Sequence, residues 1–135
     1  MNILVTGGTG YIGSHTCVAL LERGYSVIIA DNLSNSKADV VEKIEQISGK
    51  EVFFYQVDVT EEAATDAMFA SHTIDGVVHF AGLKAVGESV LKPLEYYYNN
   101  LLSTMTLAKL CKKYGVKRFV FSSSATVYGD NTVPF

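Results

Sequence analysis

The chain lacks the features that mark several large classes of protein. It has two cysteines in 135 residues, Cys17 and Cys111. They stand far apart in helix-like stretches and in no metal or redox spacing, which excludes a disulfide scaffold and a zinc or thioredoxin-type motif. Both read as small buried apolar residues. The three histidines, His15, His72 and His79, make no pair at ligand spacing, so no metal is assigned. His79 ends an apolar strand and is expected to hydrogen-bond locally. A basic surplus is missing too. The net charge is −3, which argues against nucleic acid as a partner, because phosphate backbones select a basic surface. No apolar run reaches the length of a membrane span, and no basic region precedes the first strand. A membrane is therefore not expected, and the expected compartment is the cytoplasm. Repeats, low-complexity tracts and internal linkers are absent. What remains, 48% hydrophobic and 19% charged, is the composition of one folded domain over residues 1–135 with a real core.

The opening is the informative part. Asn2 to Thr6 reads as a strand, runs into Gly7, Gly8, Gly10 and Gly13, and passes directly into a helix-like run. So tight a turn needs backbone angles that glycine reaches without steric cost. Bare backbone also lets a pyrophosphate approach the helix N-terminus, whose free amides and dipole favour an anion. Gly13 would let the helix sit close against the strand. The spacing fits two patterns. Gly8-x-Gly10-x-x-Gly13 is the general dinucleotide fingerprint, and Gly7-x-x-Gly10-x-x-Gly13 is a variant of it. A P-loop is excluded, because Ser14-His15 stands where Lys and Ser/Thr would be needed. Asp31 closes the second strand, eighteen residues beyond Gly13. A carboxylate there accepts hydrogen bonds from an adenosine ribose and repels a 2′-phosphate, which predicts NAD rather than NADP. Asp31-Asn32 is also good turn chemistry.

Short apolar runs alternate with helical segments along the rest of the chain. Strands are expected at 2–6, 26–30, 51–56, 76–80 and 118–122, and helices at 12–23, 37–48, 61–71 and 94–114. Val40, Val41, Ile44 and Ile47 form an apolar stripe in the second helix, and Leu101, Met105, Ala108 and Cys111 form one in the last. Gly49 and Gly115 read as C-terminal caps, and Thr60 as an N-cap before Glu61 and Glu62. The pattern predicts an α/β fold, a doubly wound, Rossmann-like parallel sheet of about five strands in order 3-2-1-4-5. Ligands in such sheets lie beyond the carboxyl ends of the strands, at the switch point between strands one and four. Asp58 and Val59 follow strand three and suit either an adenine edge or a helix-start turn. Phe80, Ala81, Gly82, Leu83 and Lys84 follow strand four. The small residues there admit a nucleotide, and Lys84 suits either a phosphate or solvent. Ser122, Ser123 and Ser124 follow strand five and could hold a substrate oxygen, or form a plain loop.

Four segments carry a resemblance: 6–13, 31–36, 79–100 and 122–129. On these the chain resembles the extended short-chain dehydrogenase/reductase superfamily. Within it the chain is similar to the N-terminal part of the enzymes that epimerise UDP-glucose and UDP-galactose. The stretches 81–89 and 92–100 discriminate that branch; the glycine turn is common to the superfamily. The resemblance implies transient NAD-dependent oxidation at carbon 4 of the sugar. It places Gly7, Gly10, Tyr11, Ile12 and Gly13 at the pyrophosphate, and Asp31, Asn32, Asn35 and Ser36 around the adenosine ribose. Asp58 and Val59 fall at adenine. Phe80, Ala81, Lys84 and Asn99 flank the cofactor, and Leu33, Ser34, Gly82 and Leu83 complete the cofactor-binding set. Ser124 matches the catalytic serine that hydrogen-bonds the reacting hydroxyl. The implied partner is a UDP-sugar, with a homodimer allowed for the parent enzyme.

The chain departs from that pattern in one respect. The superfamily's base is a tyrosine with a lysine four residues on, which helps lower the tyrosine pKa. None of the eight tyrosines here has that lysine. The expectation is therefore an incomplete cofactor domain without the final strands and the C-terminal substrate domain, inactive by itself. Its fifth strand should be an exposed edge prone to association. Alternative functions are a sugar-nucleotide dehydratase or decarboxylase of the same superfamily, which the 79–100 stretch argues against, and a non-catalytic NAD-binding module.

Overall fold

The computed structural model describes residues 1–129. Five parallel strands form one sheet: β1 (Asn2–Thr6), β2 (Ser26–Asp31), β3 (Phe53–Gln56), β4 (Gly76–His79) and β5 (Phe119–Phe121). Their order is β3-β2-β1-β4-β5, as the sequence pattern predicts. The central strand β1 pairs on one side with β2, Val5 opposite Ile29, and on the other with β4, Val5 opposite Val78.

Side chains alternate across the sheet, and the alternation divides the core in two. Ile3, Val5, Val27 and Ile29 pack against Cys17 and Leu21 of α1 (Tyr11–Glu22) and Ile44 of α2 (Asp39–Ser48). Leu4, Ile28 and Val77 pack against Met68 and Phe69 of α3 (Glu62–Ser71) and Leu107, Leu110 and Cys111 of α5 (Pro93–Tyr114). Burial on both faces explains why the strands are nearly continuous apolar runs. A short helix, α4 (Val86–Leu91), precedes α5, and a single 3-10 turn covers Ala125–Tyr128.

Element boundaries agree with the sequence reading to within about two residues, but four details differ. The helix α4 was not anticipated, because its six residues are too few to establish a helical period. Of the stripe assigned to α5, Cys111 is buried but the other three residues face outward. Leu101 is 58% and Met105 66% exposed, and Ala108 is exposed as well. The buried face carries Tyr96, Ser103, Thr106, Leu107, Leu110 and Cys111. In α2, Ile44 is buried while Ile47 faces solvent. Thr60 does not cap α3. Its hydroxyl donates to Asp58 Oδ1 at 2.7 Å, and the cap position belongs to Glu61, which makes no side-chain cap bond. Gly49 and Gly115 do end their helices in the left-handed conformation. Phe119, Val120 and Phe121 of β5 are exposed, as expected of an edge.

Candidate functional site

A cleft of about 580 Å³ opens at the carboxyl ends of the strands, where the β1–β2 and β1–β4 crossovers diverge. Its floor is the turn between β1 and α1. Gly7 has φ +69°, and a Cβ there would lie 2.8 Å from the Ala81 nitrogen. A Cβ on Gly13 would lie 2.1 Å from the Gly7 carbonyl oxygen. The turn therefore closes only with hydrogens at both positions. Gly10 is the N-cap and carries no side chain to satisfy the helix amides, and the first turn of α1 has no acidic residue. Ser14 N–H donates to the Gly10 carbonyl at 2.9 Å, so the amides of Tyr11, Ile12 and Gly13 lie ahead of the helical ladder, and these three residues line the cleft. The result is a positive pole, with no competing carboxylate in the first turn, facing an open space.

Asp31 forms the second wall. It is buried, and its carboxylate is held by three donors. Thr9 N–H reaches Oδ2 at 3.1 Å, while Leu33 N–H and Ser36 Oγ reach Oδ1 at 2.9 and 3.1 Å. A carboxylate offers about four acceptor positions, and the described residues supply three donors, one of them to Oδ2. The Thr9 hydroxyl pairs with Ser36 Oγ at 2.7 Å, tying the glycine turn to the 32–36 loop. Asn32 and Asp58 bridge the ends of β2 and β3, with Asn32 Nδ2 donating to Asp58 Oδ2 at 2.9 Å. Burial pushes the Asp58 carboxyl up, but hydrogen bonds from Thr60 and Asn32 outweigh it and hold the group below its usual range.

The remaining walls come from β4, β5 and α5. Phe80, Ala81, Gly82, Leu83 and Lys84 line one side, with Asn99 from α5 and Ser122, Ser123 and Ser124 after β5. Lys84 Nζ donates to the Ser122 carbonyl at 3.4 Å and remains exposed. The structure thus brings together Ser124 and the nominated cofactor-site residues, apart from two. Leu33 and Ser36 are not part of the cleft wall. Both donate to the Asp31 carboxylate. The sequence reading missed Ala30, Val57, Ala85 and Ser103, which also line the cleft. Ser103 was findable from the buried spacing Tyr96, Ser103, Leu107, Leu110, had a polar residue been admitted to the inner face. Ala30 and Val57 carry no chemical signal.

The cysteines lie outside the cleft, and both are buried. Burial, with the Asp31 charge adding to it, pushes the Cys17 thiol up to about 12. Among the described residues there is no cluster able to hold a metal ion, and no helix is long and apolar enough to cross a membrane.

Known proteins agree with this geometry. The family model described as NAD dependent epimerase/dehydratase matches residues 3–135. UDP-glucose 4-epimerase of Schizosaccharomyces pombe is 61% identical over 132 residues, which cover 98% of this chain and 37% of the relative. A Klebsiella pneumoniae UDP-glucose 4-epimerase sequence is 58% identical over 130 residues, covering 96% of this chain and 94% of that one. Among solved structures, UDP-glucose-4-epimerase from Stenotrophomonas maltophila, with bound NAD and formylated UDP-arabinopyranose, superposes with a TM-score of 0.94 at 48% identity. That match covers 98% of this chain and 40% of the other. The Bifidobacterium longum enzyme in complex with NAD+ and UDP gives 0.93 at 56% identity, covering 96% and 38%. The chain therefore spans about two fifths of the length of these structures. On the family match across nearly its whole length, the chain belongs to the NAD dependent epimerase/dehydratase family.

Proposed function

We propose that these residues are the NAD-binding portion of an enzyme that interconverts UDP-galactose and UDP-glucose. The observation that carries the reading is the conjunction at one cleft of a bare helix N-terminus, closed over glycines that admit no Cβ, and a buried carboxylate held by three donors. The residues fit the group. The amides of Tyr11, Ile12 and Gly13 would hold the diphosphate, and Asp31 Oδ2 an adenosine ribose hydroxyl. Asp58 and Val59 would flank the adenine. Phe80 to Lys84 and Asn99 would border the nicotinamide half.

When bound, NAD supplies a reversible hydride acceptor for carbon 4 of the sugar. The protein's part is to hold and orient. Ser124 would hydrogen-bond the reacting hydroxyl from the end of β5, and the wall at Phe80 and Ala81 would help keep water from the reacting face. The general base is a different matter. No tyrosine of the 135 residues has a lysine four positions on. We therefore expect no epimerase turnover from these residues alone, since losing a general acid–base group costs about a hundred- to ten-thousand-fold. The outward apolar faces of α4 and α5, with Val90, Leu94, Leu101 and Met105 exposed, support a homodimer. Sedimentation of the Leu101→Glu variant, expected to be monomeric, tests that part.

Calorimetric titration with NAD and NADP tests the cofactor reading. NAD is expected to bind more tightly, and preference for NADP would overturn the role given to Asp31.

A further inference from the structure

The segment from Phe80 to Lys84 forms one wall of the cleft, and its main chain is held at two points by groups behind it. Leu83 N–H donates to Asn100 Oδ1 at 2.8 Å, and Asn100 Nδ2 donates to the Leu83 carbonyl at 2.9 Å. Ala81 N–H is shared between the Thr6 carbonyl at 3.1 Å and Thr6 Oγ1 at 3.3 Å. Between these two points lies the buried ring of His79. Its Nδ1 is 2.6 Å from Thr6 Oγ1, and its Nε2 is 3.2 Å from Thr104 Oγ1.

The proton positions follow from counting. Thr104 Oγ1 donates its single proton to the Asn100 carbonyl at 2.9 Å. Toward His79 it can only accept, so Nε2 must carry a hydrogen. Burial, reinforced by the nearby Lys84 charge, lowers the His79 pKa to about 4, and the ring is neutral at pH 7. Nδ1 is then bare and accepts from the Thr6 hydroxyl. That hydroxyl, having spent its proton, receives the Ala81 amide. Every hydroxyl in the series donates once, and the bonds all run consistently.

We propose that His79, as its neutral Nε2–H tautomer, and Thr104 are positioning residues for the wall from Ala81 to Leu83: one directed hydrogen-bond chain runs from the Ala81 amide through Thr6, His79 and Thr104 to the main-chain carbonyl of Asn100, the residue whose side chain holds Leu83. Neither side chain needs to touch a ligand. Their effect on binding passes through the Ala81 and Leu83 peptides. This rests on the reading of the cleft as an NAD site, but the hydrogen-bond chain can be tested without NAD.

Two measurements decide it. Nitrogen NMR of the protein with 15N-labelled histidine should find His79 protonated at Nε2 and bare at Nδ1 at pH 7; the opposite tautomer overturns the proposal. Thr104→Val removes the hydroxyl at nearly constant volume, and Thr104→Ser keeps it. Valine should speed hydrogen exchange at Leu83 and weaken NAD binding about fivefold, the worth of one ordinary hydrogen bond. Serine should restore both. No effect of valine, or an equal effect of valine and serine, overturns the proposal. Failure of the unaltered protein to bind NAD instead overturns the functional reading, and the tautomer and the exchange rates still decide the hydrogen-bond chain.

Discussion

Replacing Gly13 by alanine adds a methyl group where the fold has no room for one. The new carbon would lie 2.1 Å from the Gly7 oxygen and 2.9 Å from both the Gly7 carbonyl carbon and Gly8 Cα. Contacts below 3.0 Å are essentially never seen for a Cβ, so α1 must retreat by roughly 1 Å, given the cost of overpacking a close-packed interior. All three neighbours are main-chain atoms, and no rotamer change relieves them. The cost should fall near the top of the usual overpacking range, about 3 kcal/mol. For a chain of this size that lowers Tm by roughly 10 °C. The retreat also carries the first-turn amides away from the cleft floor. Loss of two such bonds weakens NAD binding by at least about tenfold. Urea unfolding and calorimetric titration of Gly13→Ala measure both. Gly87→Ala is the control, because a Cβ there meets nothing within 4 Å. It lies in α4, where alanine gains up to roughly 1 kcal/mol over glycine. A Gly13→Ala variant within about 0.5 kcal/mol of the parent, with unchanged affinity, would refute the argument, since that is the scatter of inconsequential surface changes.

Ser36→Ala removes a donor to Asp31 Oδ1 without altering the cleft wall. It should weaken NAD binding roughly fivefold, and an unchanged Kd would mean that Asp31 is held well enough by Thr9 and Leu33. His79 has its pKa lowered from 6.5 to about 4 by burial and then Lys84. The unfolded chain therefore binds the extra proton between those values. Stability is fully present above pH 6.5 and falls as pH drops toward 4, by about 2 kcal/mol between pH 6.5 and 5. Urea midpoints across that window measure it, and His79→Gln should flatten the slope; a slope unchanged in that variant assigns it elsewhere. Cys17, pushed up to about 12, and Cys111, raised by burial, should resist alkylation at pH 8 and react only after denaturation. Labelling of the native protein at the rate of a free thiol would contradict their burial.

The sheet was legible because its strands announce themselves twice, by apolar content and by what ends them. Gly7 to Gly13 and Asp31 stand at strand ends whose positions follow from topology alone, which is why the cleft could be located before its walls were known. The helices were less transparent. In α5, apolar residues recur at helical spacing on both faces, so Leu101, Met105 and Ala108 looked like a core stripe. The inner face mixes Leu107 and Leu110 with Ser103 and Thr106, whose polarity hides their burial. Thr60 has the chemistry of a cap, yet Asp58 captures its hydroxyl first. Leu33 and Ser36 donate to Asp31 Oδ1, a pairing that the order of residues along the chain does not encode. Asn100 and Thr104 act through carbonyls and ring nitrogens on other elements, and no local pattern encodes that.

The strand that leads the sheet in chain order occupies its middle, and this sets a schedule for synthesis. β1 gains one neighbour when β2 is made, but its other edge stays open until β4 ends at His79. At a translation rate of about 5–20 residues per second, that edge waits several seconds on the ribosome. Asn2, which bonds Asp75 and Thr73 in the finished fold, thus waits for partners made 73 and 71 residues after it.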